Sequence, residues 1–117
     1  EQPLFLNAAC SARTRYAPHT LLDLLKCVEK RMGRVDTGRY GPRPIDIDIL
    51  MYDDICFDTP NLTIPHPGMT ARATVLVPLA DITPQKRHPQ TGLTIGEHLK
   101  RLEPVSGITP YTPGSKA

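Results

Sequence analysis

The sequence predicts an α+β domain, on three observations. In Ile45-Asp46-Ile47-Asp48-Ile49 apolar and acidic residues alternate with the period of two that a strand imposes. Upstream, Leu21, Leu24, Leu25, Val28 and Met32 recur at helical spacing. Downstream, Thr94 and Glu97 have the spacing of a capping box, ahead of a short helix that would turn Ile95, Leu99 and Leu102 inward. The chain has 117 residues, 39% of them apolar and 22% charged, which suits one domain with its own core.

A first strand is expected over about Leu4 to Thr14, with Ala8, Cys10 and Ala12 on one face and Asn7, Ala9, Ser11 and Arg13 on the other. Pro18 suits the first turn of a helix that Gly33 stops after Met32. Lys30 and Arg31 in its last turn, with Arg34 just beyond, complement the helix dipole. Residues 35–43 read as a polar loop leading into the acidic strand, which runs to about Tyr52. An Asp53-Asp54 turn and a return through Ile55, Cys56 and Phe57 predict a hairpin. Leu62 to Pro67 reads as extended and proline-bound, while periodicity leaves open whether Val75 to Leu79 is a short helix interrupted at Pro78. Beyond Glu103, the residues Pro104, Gly107, Pro110, Pro113 and Gly114 describe a tail or linker, so the domain is placed at 1–103 and the tail at 104–117. The start at Glu1-Gln2-Pro3, without methionine, is expected of a chain processed or cut from something longer.

The formal net charge is +2 and the basic residues are spread out, without a stripe interleaved with aromatics, which argues against a nucleic-acid partner. Cys10, Cys27 and Cys56 form no close pair and are expected as reduced, packed thiols of an intracellular protein. No apolar run approaches a membrane span and no secretion signal opens the chain, so no membrane association is expected.

The chemistry concentrates around Asp46 and Asp48. On a strand they project to one side, about 6 to 7 Å apart, opposite Ile45, Ile47 and Ile49. Two ionised carboxylates so placed repel unless a divalent cation, an arginine or a shared proton offsets them. Arg39 and Arg43 are near in sequence, Gly41-Pro42 fixes a turn, and Pro44 favours an extended approach. A half-buried strand with acids on its solvent face gives the same alternation.

The segments Phe5-Leu6-Asn7-Ala8-Ala9, Gly33-Arg34-Val35, Gly41-Pro42-Arg43-Pro44-Ile45-Asp46-Ile47-Asp48-Ile49 and Ile64-Pro65-His66-Pro67, followed by Arg72 and Pro78-Leu79, choose among these readings. In order and spacing the chain resembles the 6-hydroxymethyl-7,8-dihydropterin pyrophosphokinases over residues 1 to about 100. The resemblance implies transfer of a pyrophosphoryl group from ATP to the hydroxymethyl oxygen of a reduced pterin, releasing AMP, in folate biosynthesis. It implies that Asp46 and Asp48 hold Mg2+, as two ions. It implies that Arg34 and Arg43 bind the polyphosphate and stabilise the transition state, with Arg39 as a third cation. By the same resemblance His66, Arg72 and Glu29 contact ATP, Asn7 hydrogen-bonds the pterin edge, and Phe5 and Tyr40 supply aromatic surface. His19, His88 and His98 belong to no motif and are expected to be exposed.

The chain departs from the family at several positions. Thr74 stands where the family has a pterin-stacking Phe, and loss of one aromatic contact of about 0.5 to 1.5 kcal/mol would weaken pterin binding around tenfold. Lys26 replaces an uncharged polar residue, and Asp36 stands where a second loop arginine is expected. The resemblance also implies a ferredoxin-like sheet whose opening strand-helix-strand portion is absent from these residues. The strand around Asn7 and the strand around Asp46 would then flank an unfilled slot, to be closed by an upstream segment or by another chain. The compartment implied is the cytoplasm, with the mitochondrion as the alternative. A non-catalytic, scaffold form of the same fold is the alternative function.

Overall fold

Helix formation begins where the sequence places a proline with no N–H to lose. In the computed structural model, which describes residues 6–33 and 45–111, α1 runs over Pro18–Met32 with Pro18 in its first turn. Ala17 precedes it in extended conformation, and the helix closes at Gly33, whose N–H donates to the Glu29 carbonyl at 2.9 Å. The chain divides into two compact units, Arg13–His66 and a second made of Pro67 onward with the residues up to Ala12.

In the first unit, Leu21, Leu22 and Leu25 of α1 pack with Tyr52 and Phe57 against buried Ile49, Leu62 and Ile64. The helical stripe read from the sequence is wider than this core covers, since Leu24, Val28 and Met32 stay 39%, 41% and 52% exposed. A two-stranded antiparallel sheet joins β1 (Phe57–Asp58) to β2 (Thr63–Ile64), with Phe57 opposite Ile64 and Asp58 opposite Thr63. The connection is closed by Thr59, whose hydroxyl donates to the Leu62 carbonyl at 2.7 Å. This hairpin lies one step later than the sequence predicts. The turn at Asp53-Asp54 forms, with Ile55 N–H on the Tyr52 carbonyl at 3.1 Å, but Ile55 and Cys56 are exposed and do not pair back. Pairing falls instead where both facing residues, Phe57 and Ile64, have apolar side chains in the core.

The predicted acidic strand has the burial pattern of a strand without its ladder. Asp46 and Asp48 are exposed, Ile45 and Ile47 half-buried and Ile49 buried, yet residues 45–52 have no strand partner among the described residues. Likewise residues 6–14 form no strand and are exposed apart from half-buried Ala9. The physical reason is common to both: alternation fixes which side chains turn inward, whereas a strand also needs a neighbour's N–H and C=O groups. The described architecture is therefore a small α+β arrangement with two short strands rather than a full sheet.

In the second unit a 3₁₀ turn over Met69–Ala71 leads into α2 (Ala73–Ile82), which packs against α3 (Ile95–Leu102). Met69, Leu76 and Ile95 are fully buried and Leu79 nearly so. Proline does not interrupt α2: Pro78 lies inside it, forgoing one hydrogen bond to the carbonyl of exposed Thr74, while Leu76 and Leu79 keep the helix docked. The capping box forms as read, with Thr94 Oγ1 accepting from Glu97 N–H at 3.1 Å and Thr94 N–H donating to Glu97 Oε1 at 2.8 Å.

Two expectations about side chains are corrected. His88 and His98, expected to be exposed, are only 4% and 5% exposed, whereas His19 is exposed as read. The Nδ1 of His88 accepts the N–H groups of Gln90 and Thr91, each at 3.2 Å, so this ring organises the turn that leads into α3. The Nε2 of His98 meets Thr91 Oγ1 at 2.6 Å, and the two rings stand edge to face, 5.6 Å between centroids. Cys10, Cys27 and Cys56 are free and exposed rather than packed, each lying on a segment or helix face that the local core leaves uncovered.

Candidate functional site

The acidic segment is fixed to α1 by a side chain from within the helix. Glu29, near the carboxy-terminal end of α1, accepts the N–H of Ile47 at 2.5 Å, and its other oxygen lies 3.5 Å from Lys26 Nζ. The Glu29 side chain is 11% exposed while that of Lys26 is 57% exposed. Ile47 stands between Asp46 and Asp48, so the peptide that connects the two acids is the one Glu29 holds. Further along, the Leu50 carbonyl accepts the N–H of His66 at 2.8 Å. The Tyr52 hydroxyl donates to the Tyr16 carbonyl at 2.7 Å and ties the end of the segment to the approach of α1. Tyr52 did not stand out as site-supporting in the sequence, because a contact 36 residues along the chain leaves no local pattern, whereas Lys26, a departure from the family, meets Glu29 at the i,i+3 spacing of a helix.

His66 is half-buried behind buried Pro65, whose peptide bond with Ile64 is cis. His19 is placed against Phe57, with ring centroids 5.6 Å apart, and its Nε2 meets Thr59 Oγ1 at 3.1 Å. It therefore serves the hairpin.

The structure gathers Glu29, Asp46, Asp48 and His66 into the unit of residues 13–66. Asn7, Arg72 and Thr74 belong to the other unit. Asn7 is exposed, Arg72 is exposed at the amino-terminal boundary of α2, and Thr74 is exposed in its first turn. Phe5, Arg34, Arg39, Tyr40 and Arg43 lie outside the described residues.

Asp46 and Asp48 fit a hard divalent cation. They are exposed oxygen donors, separated by an inward-turned isoleucine and carried on a backbone pinned to a helix. Among the described residues no three His, Cys, Asp or Glu side chains gather into a metal cage, so an ion on these two acids would draw the rest of its shell from water and phosphate oxygens. Among the same residues no helix is long and apolar enough to cross a membrane.

A small α+β protein with an acidic pair held on a helix-anchored segment is thus the class that fold and site define. Residues 1–84 match the model of the family described as 7,8-dihydro-6-hydroxymethylpterin-pyrophosphokinase. The chain is 44% identical over 102 residues to a 2-amino-4-hydroxy-6-hydroxymethyldihydropteridine pyrophosphokinase of Pseudomonas aeruginosa, covering 87% of this chain and 60% of that one. It is 49% identical over 94 residues to a folic acid synthesis protein of Dictyostelium discoideum, covering 80% of this chain and 14% of that protein. A mitochondrial folate synthesis bifunctional protein of Arabidopsis thaliana is 49% identical over 82 residues, which cover 70% of this chain and 15% of that protein. The chain spans less than two thirds of the length of each of these relatives. It belongs to the 7,8-dihydro-6-hydroxymethylpterin-pyrophosphokinase family.

Proposed function

We propose that this chain supplies part of the active site of an enzyme that transfers pyrophosphate from ATP to 6-hydroxymethyl-7,8-dihydropterin in folate biosynthesis. The observation that carries the reading is the family match over residues 1–84 together with Asp46 and Asp48 exposed on a pinned segment. The hydroxymethyl oxygen attacks the β-phosphorus of ATP, the bond from that phosphorus to the α,β-bridging oxygen breaks, AMP leaves, and the hydroxyl proton is lost to solvent or a base. Such a reaction asks the protein chiefly for positioning and for offsetting charge on the transferring oxygens.

Asp46 and Asp48 would hold Mg2+, as two ions, which when bound polarises the phosphate oxygens and neutralises developing charge. Arg34 and Arg43 would brace the polyphosphate with Arg39 beside them, and His66 and Arg72 would orient ATP. Asn7 would hydrogen-bond the polar edge of the pterin, and Phe5 and Tyr40 would supply aromatic surface near it.

The reading includes a ferredoxin-like sheet over residues 1–103, followed by a linker over 104–117, and completed by an upstream segment or another chain. Two observations support that completion. The acidic segment has no ladder partner among the described residues, and Leu24, Val28 and Met32 present an uncovered apolar stripe. The cytoplasm is the proposed compartment, with the mitochondrion as alternative because a plant relative carries that label.

The test is AMP formation from Mg-ATP by the natural full-length gene product, with Asp46→Asn and Asp48→Asn as controls. Pterin-dependent AMP that disappears in both controls is the expected result. A folded product that forms none would overturn the enzymatic reading in favour of a scaffold.

A further inference from the structure

We infer that Glu29 is a positioning residue for the acidic pair, acting through the backbone of Ile47 rather than by touching the nucleotide. The inference rests on the reading of Asp46 and Asp48 as cation ligands. A carboxylate accepts hydrogen bonds and cannot donate them when ionised, so it has nothing to offer the triphosphate except repulsion. What remains for it on a nucleotide is a ribose hydroxyl or the base amino group. In this structure both carboxylate oxygens are already engaged, one by Lys26 and the other by the Ile47 N–H, and the side chain is 11% exposed.

The placement explains what the contact achieves. The peptide of Ile47 lies between Asp46 and Asp48, and rotation about it would swing the directions of both acidic side chains. A charge-assisted bond from a helix of about four turns to the peptide between the acids fixes that rotation. The third negative charge this brings close to the acids is offset in part by Lys26. Lys26 is one of the departures from the family pattern, and its partner is this same carboxylate.

The experiment uses Mn2+ as a spectroscopic probe, its binding to the natural full-length product read by electron paramagnetic resonance in the presence of a non-hydrolysable ATP analogue. Glu29→Asp keeps the charge but is one methylene too short to reach the Ile47 amide. Glu29→Gln keeps an acceptor oxygen at the same reach but loses the charge. Removal of a group that orients a metal ligand commonly weakens metal binding by about 10- to 100-fold. The expected result is a loss of that size in Glu29→Asp, near-native Mn2+ affinity in Glu29→Gln, and faster hydrogen exchange of the Ile47 amide in Glu29→Asp alone. Equal losses in both variants would assign the effect to charge and overturn the inference, as would unchanged Mn2+ affinity in Glu29→Asp.

A raised KM for ATP with Mn2+ affinity intact would make Glu29 a nucleotide contact, also overturning it. Asp46→Asn is measured alongside. If Asp46→Asn weakens Mn2+ binding and Glu29→Asp does not, only the inference about Glu29 fails. If neither weakens it, the cation-site reading fails first.

Discussion

Thr74 is exposed near the start of α2, so a larger side chain meets no packed core there. In the natural gene product, Thr74→Phe should lower the pterin KM by roughly tenfold with kcat little changed, the amount one aromatic contact provides. An unchanged KM would mean that this position does not face the pterin. Residue by residue, the sequence was most informative where one side chain's surroundings follow from its neighbours. The period of two over Ile45 to Ile49 sorted exposed Asp46 and Asp48 from inward-facing isoleucines. It could not show that Glu29 would meet Ile47, because that contact joins residues 18 apart and no local period encodes it. The same limit hid the burial of His88 and His98, single polar residues whose partners in the turn no motif marks.

At the scale of elements, the turn into α3 is held by two imidazoles whose burial favours the neutral form. Burial, and secondarily the neighbouring His98, lowers the pKa of His88. Burial also lowers that of His98, assisted by Arg101 and opposed by Glu97. The unfolded chain therefore takes up protons on these rings at a higher pH than the folded chain does. Their contribution to stability is complete above the ordinary imidazole pKa of about 6.5 and is lost as pH falls from there through the folded-state values.

The two rings differ in what a proton would break. Protonating Nδ1 of His88 removes the acceptor used by Gln90 and Thr91, whereas Thr91 can reverse the sense of its hydroxyl bond to His98. Urea denaturation between pH 7.5 and 5 should show stability falling with pH. His88→Asn, whose amide oxygen can replace Nδ1 as acceptor without titrating, should flatten that slope; an equal slope in the variant would exclude His88 as the source. Independently of pH, Thr94→Ala removes the hydroxyl half of the capping box and should cost about 1 kcal/mol in the same assay.

Across the whole molecule, α1 and α3 were legible, while α2 was left open and the sheet was not legible, for a physical reason. A helix satisfies its hydrogen bonds within one segment, so α1 and α3 could be read from spacing, Pro18 and the Thr94 box alone. A strand depends on partners elsewhere, and the residues around Asn7 and Asp46 carry strand-like composition with no ladder among the described residues. The same incompleteness shows on α1. Leu24, Val28 and Met32 follow at intervals of four, forming one outward stripe while Leu21 and Leu25 face the local core.

If the proposed sheet-completing segment covers that stripe, these positions are buried in the natural product despite their exposure here. Leu24→Ser and Val28→Ser should then each destabilise the full-length product by about 2 kcal/mol or more, as apolar-to-polar changes in a core do. Substitutions at truly exposed helix positions stay within about 0.5 kcal/mol. Losses that small, measured by chemical denaturation with AMP formation retained, would leave the stripe uncovered and place the completing segment elsewhere on the fold. Large losses accompanied by release of the acidic segment, read as faster exchange of the Ile47 amide, would tie the covering of α1 to the geometry of the cation site through Glu29.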